Sequence, residues 1–87
     1  MFHVYLIQSK DECHELYIGY SSDLRRRLQE HNAGLSFSTR GKQWRLVYCE
    51  TYASEEDART REKRLKQYGK ALAMLKRRLK ESLHKKA

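Results

Sequence analysis

The chain has 87 residues, of which 39% are hydrophobic and 34% charged, and its 19 Lys and Arg against 11 Asp and Glu give a net charge of +8. This length predicts one domain over 1–87, and the apolar content excludes a disordered basic tail. No apolar run approaches the roughly 20 residues that span a bilayer, and the first residues lack a signal-peptide pattern. We therefore expect a cytoplasmic protein without a membrane partner, and the positive charge points first to nucleic acid.

The pattern of apolar, β-branched and turn-forming residues predicts the element order β-β-α-β-α-α. This order indicates an α+β fold in which a small three-stranded antiparallel sheet is flanked by helices. The predicted strands are 2–9, 16–20 and 44–52. The first predicted helix is 23–32. The second begins at the capping sequence 54–57 and runs to about 68, where Gly69 interrupts it, and a basic helix follows at about 71–83.

Two local details follow from the same patterns. A hydroxyl of Ser21 or Ser22 is expected to cap the first helix, because serine side chains accept hydrogen bonds from the free backbone N–H groups of a first turn. In the third strand, simple alternation places Trp44, Leu46 and Tyr48 on one face of the sheet.

The first predicted helix carries two polar residues beside its apolar stripe. Leu24 and Leu28 form the stripe, and Arg27 and His31 run next to it at the same four-residue spacing. Arg27 could extend its charged end to water, and His31 could be a cation favoured by the helix C-terminus. The other interpretation is a polar site against the sheet, and the spacing leaves both interpretations open.

Glu62 lies on the apolar stripe of the second predicted helix, four residues after Ala58 and three before Leu65. A carboxylate in such a place is costly unless it is paired or binds a metal. Its partner could be an arginine such as Arg27. It could also be a divalent cation such as Mg²⁺, which accepts one or two protein carboxylates and keeps its waters.

Tyr5 and Tyr17 lie on the two strands of the predicted hairpin. Each could pack as an ordinary aromatic residue. If they face each other beside Arg27 and Glu62, their phenol oxygens lie where a phosphate could bind. Gly19 leaves a gap in its strand, which is typical of a place where another backbone or a ligand comes close.

Basic residues are concentrated in two segments. The loop 35–43 carries Arg40 and Lys42, which could contact a nucleic-acid backbone beside the site or simply be solvated. Residues 70–87 hold seven Lys or Arg and one Glu. An apolar seam along this last segment predicts that it docks on the domain or on a partner, and without interleaved aromatic residues it gives no indication of base stacking.

The residues singled out resemble the signature of the GIY-YIG nuclease domain family. Tyr17-Ile18-Gly19 matches the second half of the paired signature, and Val4-Tyr5 matches the first half, where His3 replaces the glycine. The resemblance covers nearly the whole chain, to about residue 80, and is strongest to small stand-alone members similar to the nuclease domain of the ABC excinuclease. It continues through Tyr20, Ser21, Ser22, Asp23, Leu24, Arg27, His31, Asn32, Gly34, Ser38, Thr39, Leu46, Val47, Tyr48, Glu50, Ala58, Arg61, Glu62, Lys63, Leu65 and Lys66.

This resemblance implies a divalent-metal-dependent endonuclease that hydrolyses phosphodiester bonds in DNA, with Mg²⁺ or Mn²⁺ as the cofactor. It implies that Tyr17 helps to deprotonate the attacking water, with Tyr5 beside it positioning the water or sharing that role. Arg27 would hold the scissile phosphate, and His31 would assist the phosphate or the proton transfer. Glu62 would be the one protein ligand of the metal.

The resemblance also implies a structural role for Gly19, nucleic-acid contacts by Arg40, Lys42 and Lys66, and a substrate of duplex or branched DNA linked to repair or recombination. The family's appended DNA-binding domain is not found, so a protein partner or a homodimer would supply target choice. The alternative is a weakly catalytic or non-catalytic nucleic-acid-binding or adaptor module of the same fold. A more distant one is an interaction protein whose basic helix binds an acidic partner or a membrane.

Overall fold

The computed structural model describes residues 1–84 as a three-stranded antiparallel sheet with helices on both faces. The central strand β1 lies between the other two, in the order β2-β1-β3, which confirms the predicted fold. Within the described residues no helix is long and apolar enough to cross a membrane. The elements are β1 (Phe2–Ser9), β2 (Leu16–Ser21), α1 (Leu24–Asn32), a 3₁₀ turn (Phe37–Thr39), β3 (Trp44–Tyr52), α2 (Glu55–Gln67) and α3 (Gly69–Arg78). Lys85 and Lys86 of the predicted basic tail lie outside the described residues.

The central strand separates two apolar clusters, because successive side chains of a strand point to opposite faces. Val4 and Leu6 face α2 and α3, where Leu65 and Leu75 are buried against them. The opposite face carries the cluster that α1 covers, formed by Tyr5, Ile7 and Trp44 with the partly buried Tyr17, Leu24 and Leu28.

The alternation of β3 reverses within the strand. As β1 advances by one residue, its partner on β3 steps from Tyr48 to Leu46, so that Val47 is an extra residue in a β-bulge. Trp44 therefore packs on the α1 face and Tyr48 on the α2 face. The prediction that Trp44, Leu46 and Tyr48 share one face is wrong, because one inserted residue exchanges the two faces.

The first helix is capped by Asp23. Its carboxylate accepts a hydrogen bond from the backbone N–H of Arg26 at 3.1 Å, and the hydroxyl of Ser21 accepts one from the N–H of Asp23 at 2.9 Å. The predicted cap at Ser21 or Ser22 is therefore wrong. Ser21 still belongs to β2, and its hydroxyl supports the residue that forms the cap.

The last helix differs from its prediction at both ends. Gly69 begins α3 instead of interrupting a helix, and α3 ends at Arg78 rather than near residue 83. Past this point the chain is held by Gln8, whose side chain accepts from the N–H of His84 at 2.8 Å and donates to its carbonyl at 3.0 Å. These long-range hydrogen bonds join the segment after α3 to the central strand.

A carboxylate on β3 ties α2 to the sheet. Glu50 accepts hydrogen bonds from Nε of Arg61 at 3.0 Å and from the hydroxyls of Tyr48 at 2.8 Å and Tyr52 at 2.5 Å. Burial alone would raise the pKa of the Glu50 carboxyl, but the guanidinium and the two hydroxyls hold this pKa below its usual value. Because Arg61 immediately precedes Glu62, the cluster also fixes the helical turn that carries Glu62.

We expect Glu50→Gln to destabilise the fold by about 2 kcal/mol, because Arg61 loses its charged partner in a partly buried place. In a domain of this size that loss lowers Tm by roughly 10 °C, measured by circular dichroism at pH 7. Glu12→Gln in the exposed turn after β1 is the control and should leave Tm nearly unchanged.

The same pair of proteins gives a pH test. Because the folded-state pKa of Glu50 is lowered, its stabilisation is complete above the ordinary carboxyl pKa of 4.5 and is lost as the pH falls through the folded-state pKa. The difference in Tm between wild type and Glu50→Gln should shrink over this acid range. A constant difference down to pH 3 would contradict the ionic role of Glu50.

Candidate active site

Tyr5 and His31 form a buried hydrogen bond beneath the candidate site. The Tyr5 hydroxyl lies 2.7 Å from Nε2 of His31, and Nδ1 of His31 lies 2.7 Å from the hydroxyl of Thr39. Burial raises the pKa of Tyr5 to about 12, so the phenol keeps its proton and donates to Nε2. Burial and the nearby Arg27 lower the pKa of His31, so the imidazole is neutral at pH 7 and its Nδ1–H donates to Thr39.

Tyr5 occupies this position because Gly19 has no side chain. Gly19 is the direct partner of Tyr5 across the β1–β2 pair. A Cβ atom on Gly19 would overlap the Tyr5 hydroxyl and the ring carbon that bears it. The gap predicted at Gly19 is therefore filled by a side chain of the protein itself.

Tyr17 is the more accessible of the two tyrosines. Its ring makes T-shaped contacts with two other rings. The centroid distance is 5.2 Å to the ring of His31 and 6.4 Å to the ring of Trp44. Nζ of Lys66 lies 5.6 Å from the centre of the Tyr17 ring. The ring thus lies between the buried histidine on one side and a cation from α2 on the other.

Glu62 reaches this region from α2, which runs beside the edge strand β2. Its side chain is 19% exposed, and its Oε2 accepts from Nζ of Lys66 at 3.0 Å. The Glu62 carboxylate is near enough to the Tyr5 hydroxyl to raise the pKa of Tyr5, while Arg27 lowers it. A carboxylate, a guanidinium and two phenols from four elements (β1, β2, α1 and α2) therefore come together.

The guanidinium of Arg27 is held by two neighbours. One terminal nitrogen pairs with Glu30 at 3.1 Å, and the other donates to the hydroxyl of Ser36 at 3.2 Å. Glu30, one turn along the same helix, is therefore the ion-pair partner of Arg27. The guanidinium remains partly exposed to solvent.

Of the three cations predicted to contact nucleic acid, two take part in ion pairs. Lys42 binds Asp11 at 3.0 Å and Glu15 at 3.2 Å in the turn between β1 and β2. Lys66 binds Glu62, as described above. Arg40 is exposed and is therefore the most available of the three.

Three residues that sequence reasoning did not single out for a role fasten the loop after α1. Ser36 holds Arg27 and Thr39 holds His31, while the side chain of Asn32 accepts from the N–H of Trp44 at 2.6 Å and donates to its carbonyl at 3.1 Å. The loop has no periodic pattern, so its polar sequence gave no signal that Thr39 is buried.

The donor set fits a metal that needs few protein ligands. Within residues 1–84 no three His, Cys, Asp or Glu side chains cluster closely enough to hold an ion alone. Zinc needs three or four such ligands and does not fit. Mg²⁺ accepts one or two carboxylates and completes its shell with water and substrate phosphate, and the partly exposed Glu62, which already attracts a cation, fits this requirement.

Comparison with known proteins identifies the family. The family profile of the GIY-YIG catalytic domain matches residues 1–77. The chain belongs to this family. It is 41% identical to a UPF0213 protein of Halobacterium salinarum over 82% of this chain and 92% of that one, and 40% identical to a UPF0213 protein of Haloquadratum walsbyi over 76% and 74%.

A solution NMR structure of a UPF0213 protein from Bacillus halodurans is similar to this GIY-YIG domain, with a TM-score of 0.51 and 31% identity over 87% of this chain and 86% of that one. The resemblance inferred from the sequence is thus confirmed, together with the fold. Membership of the family gives the chain a nuclease-type catalytic domain.

We expect Gly19→Ala to displace the Tyr5 ring and to cost about 1–3 kcal/mol of stability, because the added carbon has no room in a packed core. The measurement is thermal unfolding, with the Tyr5–His31 hydrogen bond followed by NMR. Gly69→Ala is the matched control, since a Cβ there meets nothing within 4 Å. Equal stability of the two variants would contradict the close approach of Tyr5 to Gly19.

The lowered pKa of His31 predicts its titration. In an NMR pH titration the midpoint for the His31 ring should lie below the ordinary imidazole pKa of 6.5. Because the unfolded chain binds this proton more readily, His31 should make the fold less stable as the pH falls below 6.5. A His31 titration above pH 6.5 would contradict its burial as a neutral acceptor.

Proposed function

We propose that this GIY-YIG domain is an endonuclease that hydrolyses phosphodiester bonds in DNA with Mg²⁺ or Mn²⁺. The observation that carries the proposal is the convergence of Glu62, Arg27, Tyr5 and Tyr17 beside the edge of β2. These side chains supply a carboxylate for a metal, a planar cation for a phosphate and a phenol for proton transfer. Positioning and electrostatics of this kind provide most of the rate enhancement in phosphoryl transfer.

Arg27 binds the scissile phosphate in this proposal. A guanidinium presents two parallel N–H groups to phosphate oxygens. Glu30 and Ser36 already hold it in place, so little side-chain entropy is lost when the phosphate binds. Lys66, Arg40 and the basic residues of α3 add contacts to the DNA backbone, while Lys42 keeps its two acidic partners.

Tyr17 accepts the proton of the attacking water. The water oxygen bonds to phosphorus, the bond from phosphorus to the leaving oxygen breaks, the proton of the water passes to the Tyr17 phenolate oxygen, and the leaving oxygen takes a proton from solvent. Nζ of Lys66 lies 5.6 Å from the centre of the Tyr17 ring. Glu62 would hold a divalent ion, which would polarise the phosphate and stabilise the leaving oxygen.

Tyr5 and His31 support this chemistry from beneath. Tyr5 keeps its proton because burial raises its pKa to about 12, so it orients groups at the site rather than acting as the base. Both ring nitrogens of His31 bind protein hydroxyls in the buried interior. His31 is therefore a positioning residue that acts through Tyr5 and Tyr17.

One observation favours a second candidate, a nucleic-acid-binding or adaptor module that does not cleave. The ammonium of Lys66 pairs with the carboxylate that would bind the metal. If this ion pair persisted in the presence of Mg²⁺, the domain would hold DNA without hydrolysing it. In either case we propose that the DNA bound is nicked, flapped or branched DNA of repair or recombination. We also propose that a protein partner or a second copy of the chain selects the target.

The test compares wild type with Glu62→Gln and Tyr17→Phe on nicked, flapped and branched DNA in Mg²⁺, in Mn²⁺ and with a chelator. We expect each substitution to lower the cleavage rate at least about 100-fold, the scale of a lost proton-transfer group or metal ligand. Glu56→Gln, an exposed carboxylate of the same helix, is the matched control and should cleave like wild type.

Cleavage that survives Glu62→Gln at the wild-type rate would exclude Glu62 as the metal ligand. Binding of DNA by wild type without cleavage in either metal would favour the adaptor function. Activity that persists with the chelator would contradict metal dependence.

A further inference from the structure

The loop between α1 and β3 presents an exposed aromatic side chain. Phe37 is 86% exposed, more than any other large apolar side chain of the described residues, and Leu35 in the same loop is 71% exposed. Single exposed apolar residues are common on proteins. Two in one short loop beside a candidate active site are less readily explained by chance.

The backbone that carries Phe37 is firmly held. On one side of it Ser36 binds the guanidinium of Arg27 at 3.2 Å. On the other side the hydroxyl of Thr39 lies 2.7 Å from Nδ1 of His31. The carbonyl of Thr39 accepts a hydrogen bond from the indole N–H of Trp44 at 2.9 Å. A loop fixed at these points keeps Phe37 at the surface, where its ring is open to a ligand.

The surroundings of the ring are cationic. The guanidinium of Arg40 lies 5.8 Å from the centre of the Phe37 ring, and its Nε donates to the carbonyl of Gly34 at 3.3 Å. The segment 35–43 contains no Asp or Glu. An aromatic face beside a fixed cation suits a ligand that combines a flat ring with negative charge, which describes a nucleotide.

We propose that Phe37 stacks on an unpaired base of the DNA substrate while Arg27 holds the neighbouring phosphate. This inference rests on the proposed function and narrows its substrate class to DNA with unpaired bases at the cleavage point. Bases within a duplex are already stacked on their neighbours, and removing one costs free energy, whereas the bases of a flap or a fork are available. Because Ser36 contacts Arg27, recognition of the base and of the phosphate occurs at adjoining residues.

The test measures binding rather than cleavage, in the Glu62→Gln background with chelator present. Fluorescence anisotropy compares a forked DNA that carries single-stranded arms with a fully paired duplex of the same length. Adding Phe37→Ala should weaken binding to the fork about 5- to 150-fold, the range for loss of one base–aromatic stack, and change binding to the duplex less than about 2-fold. Phe37→Trp should retain the preference for the fork.

Tyr68→Ala supplies the matched control, since Tyr68 is a 60% exposed aromatic residue at the junction of α2 and α3. It should leave both affinities unchanged. A 2-aminopurine in the single-stranded arm adds a direct report, because its fluorescence should be quenched on binding by the protein with Phe37 and not by Phe37→Ala.

Unchanged binding to the fork by Phe37→Ala would overturn the inference, and would be the result if the loop serves a protein partner. Equal losses on fork and duplex would also overturn it, because they would indicate a general backbone contact. A different result would contradict the proposed nuclease function. Wild type that prefers the fork through Phe37 but hydrolyses nothing would retain this inference and exclude the nuclease.

Discussion

The hydrogen bond between the Tyr5 hydroxyl and Nε2 of His31 is the contact on which the site depends. It joins the central strand to α1 in a place from which water is excluded. Both groups must therefore be neutral, and each must provide the hydrogen-bond partner that the other needs. The opposite nitrogen of His31 fixes Thr39 and so the following loop, while the face of His31 supports Tyr17. Only a glycine at position 19 leaves room for this arrangement.

The charged groups of the site are arranged as pairs that a substrate and a metal could exchange. Arg27 is balanced by Glu30 and Glu62 by Lys66, and neither pair is deeply buried. Partly exposed pairs of this kind contribute little to stability, so they can be broken at small cost. In the proposed function, the free protein would hold Arg27 and Glu62 in place, neutralised by Glu30 and Lys66, until DNA and a metal ion replace these partners.

The sequence predicted the sheet, the order of the elements and the position of Glu62, because these depend on local periodicity and on the cost of placing a carboxylate on an apolar stripe. It could not predict features set by contacts between distant residues. His31 is not a solvated cation at a helix end, since it is buried and Thr39 and Tyr5 bind both its nitrogens. The segment after α3 is likewise held by Gln8, near the start of the chain, which binds the backbone of His84.

The β-bulge of β3 explains how one strand serves both sides of the site. With simple alternation, Trp44 and Glu50 would lie on the same face of the sheet, and either the support for Tyr17 or the anchor for α2 would be lost. The extra residue at Val47 exchanges the faces between them. Trp44 therefore packs beside Tyr17 under α1, while Glu50 binds Arg61 of α2 one residue before Glu62. A site assembled around the edge of a sheet needs supports on both faces, and a single inserted residue allows β3 to supply them.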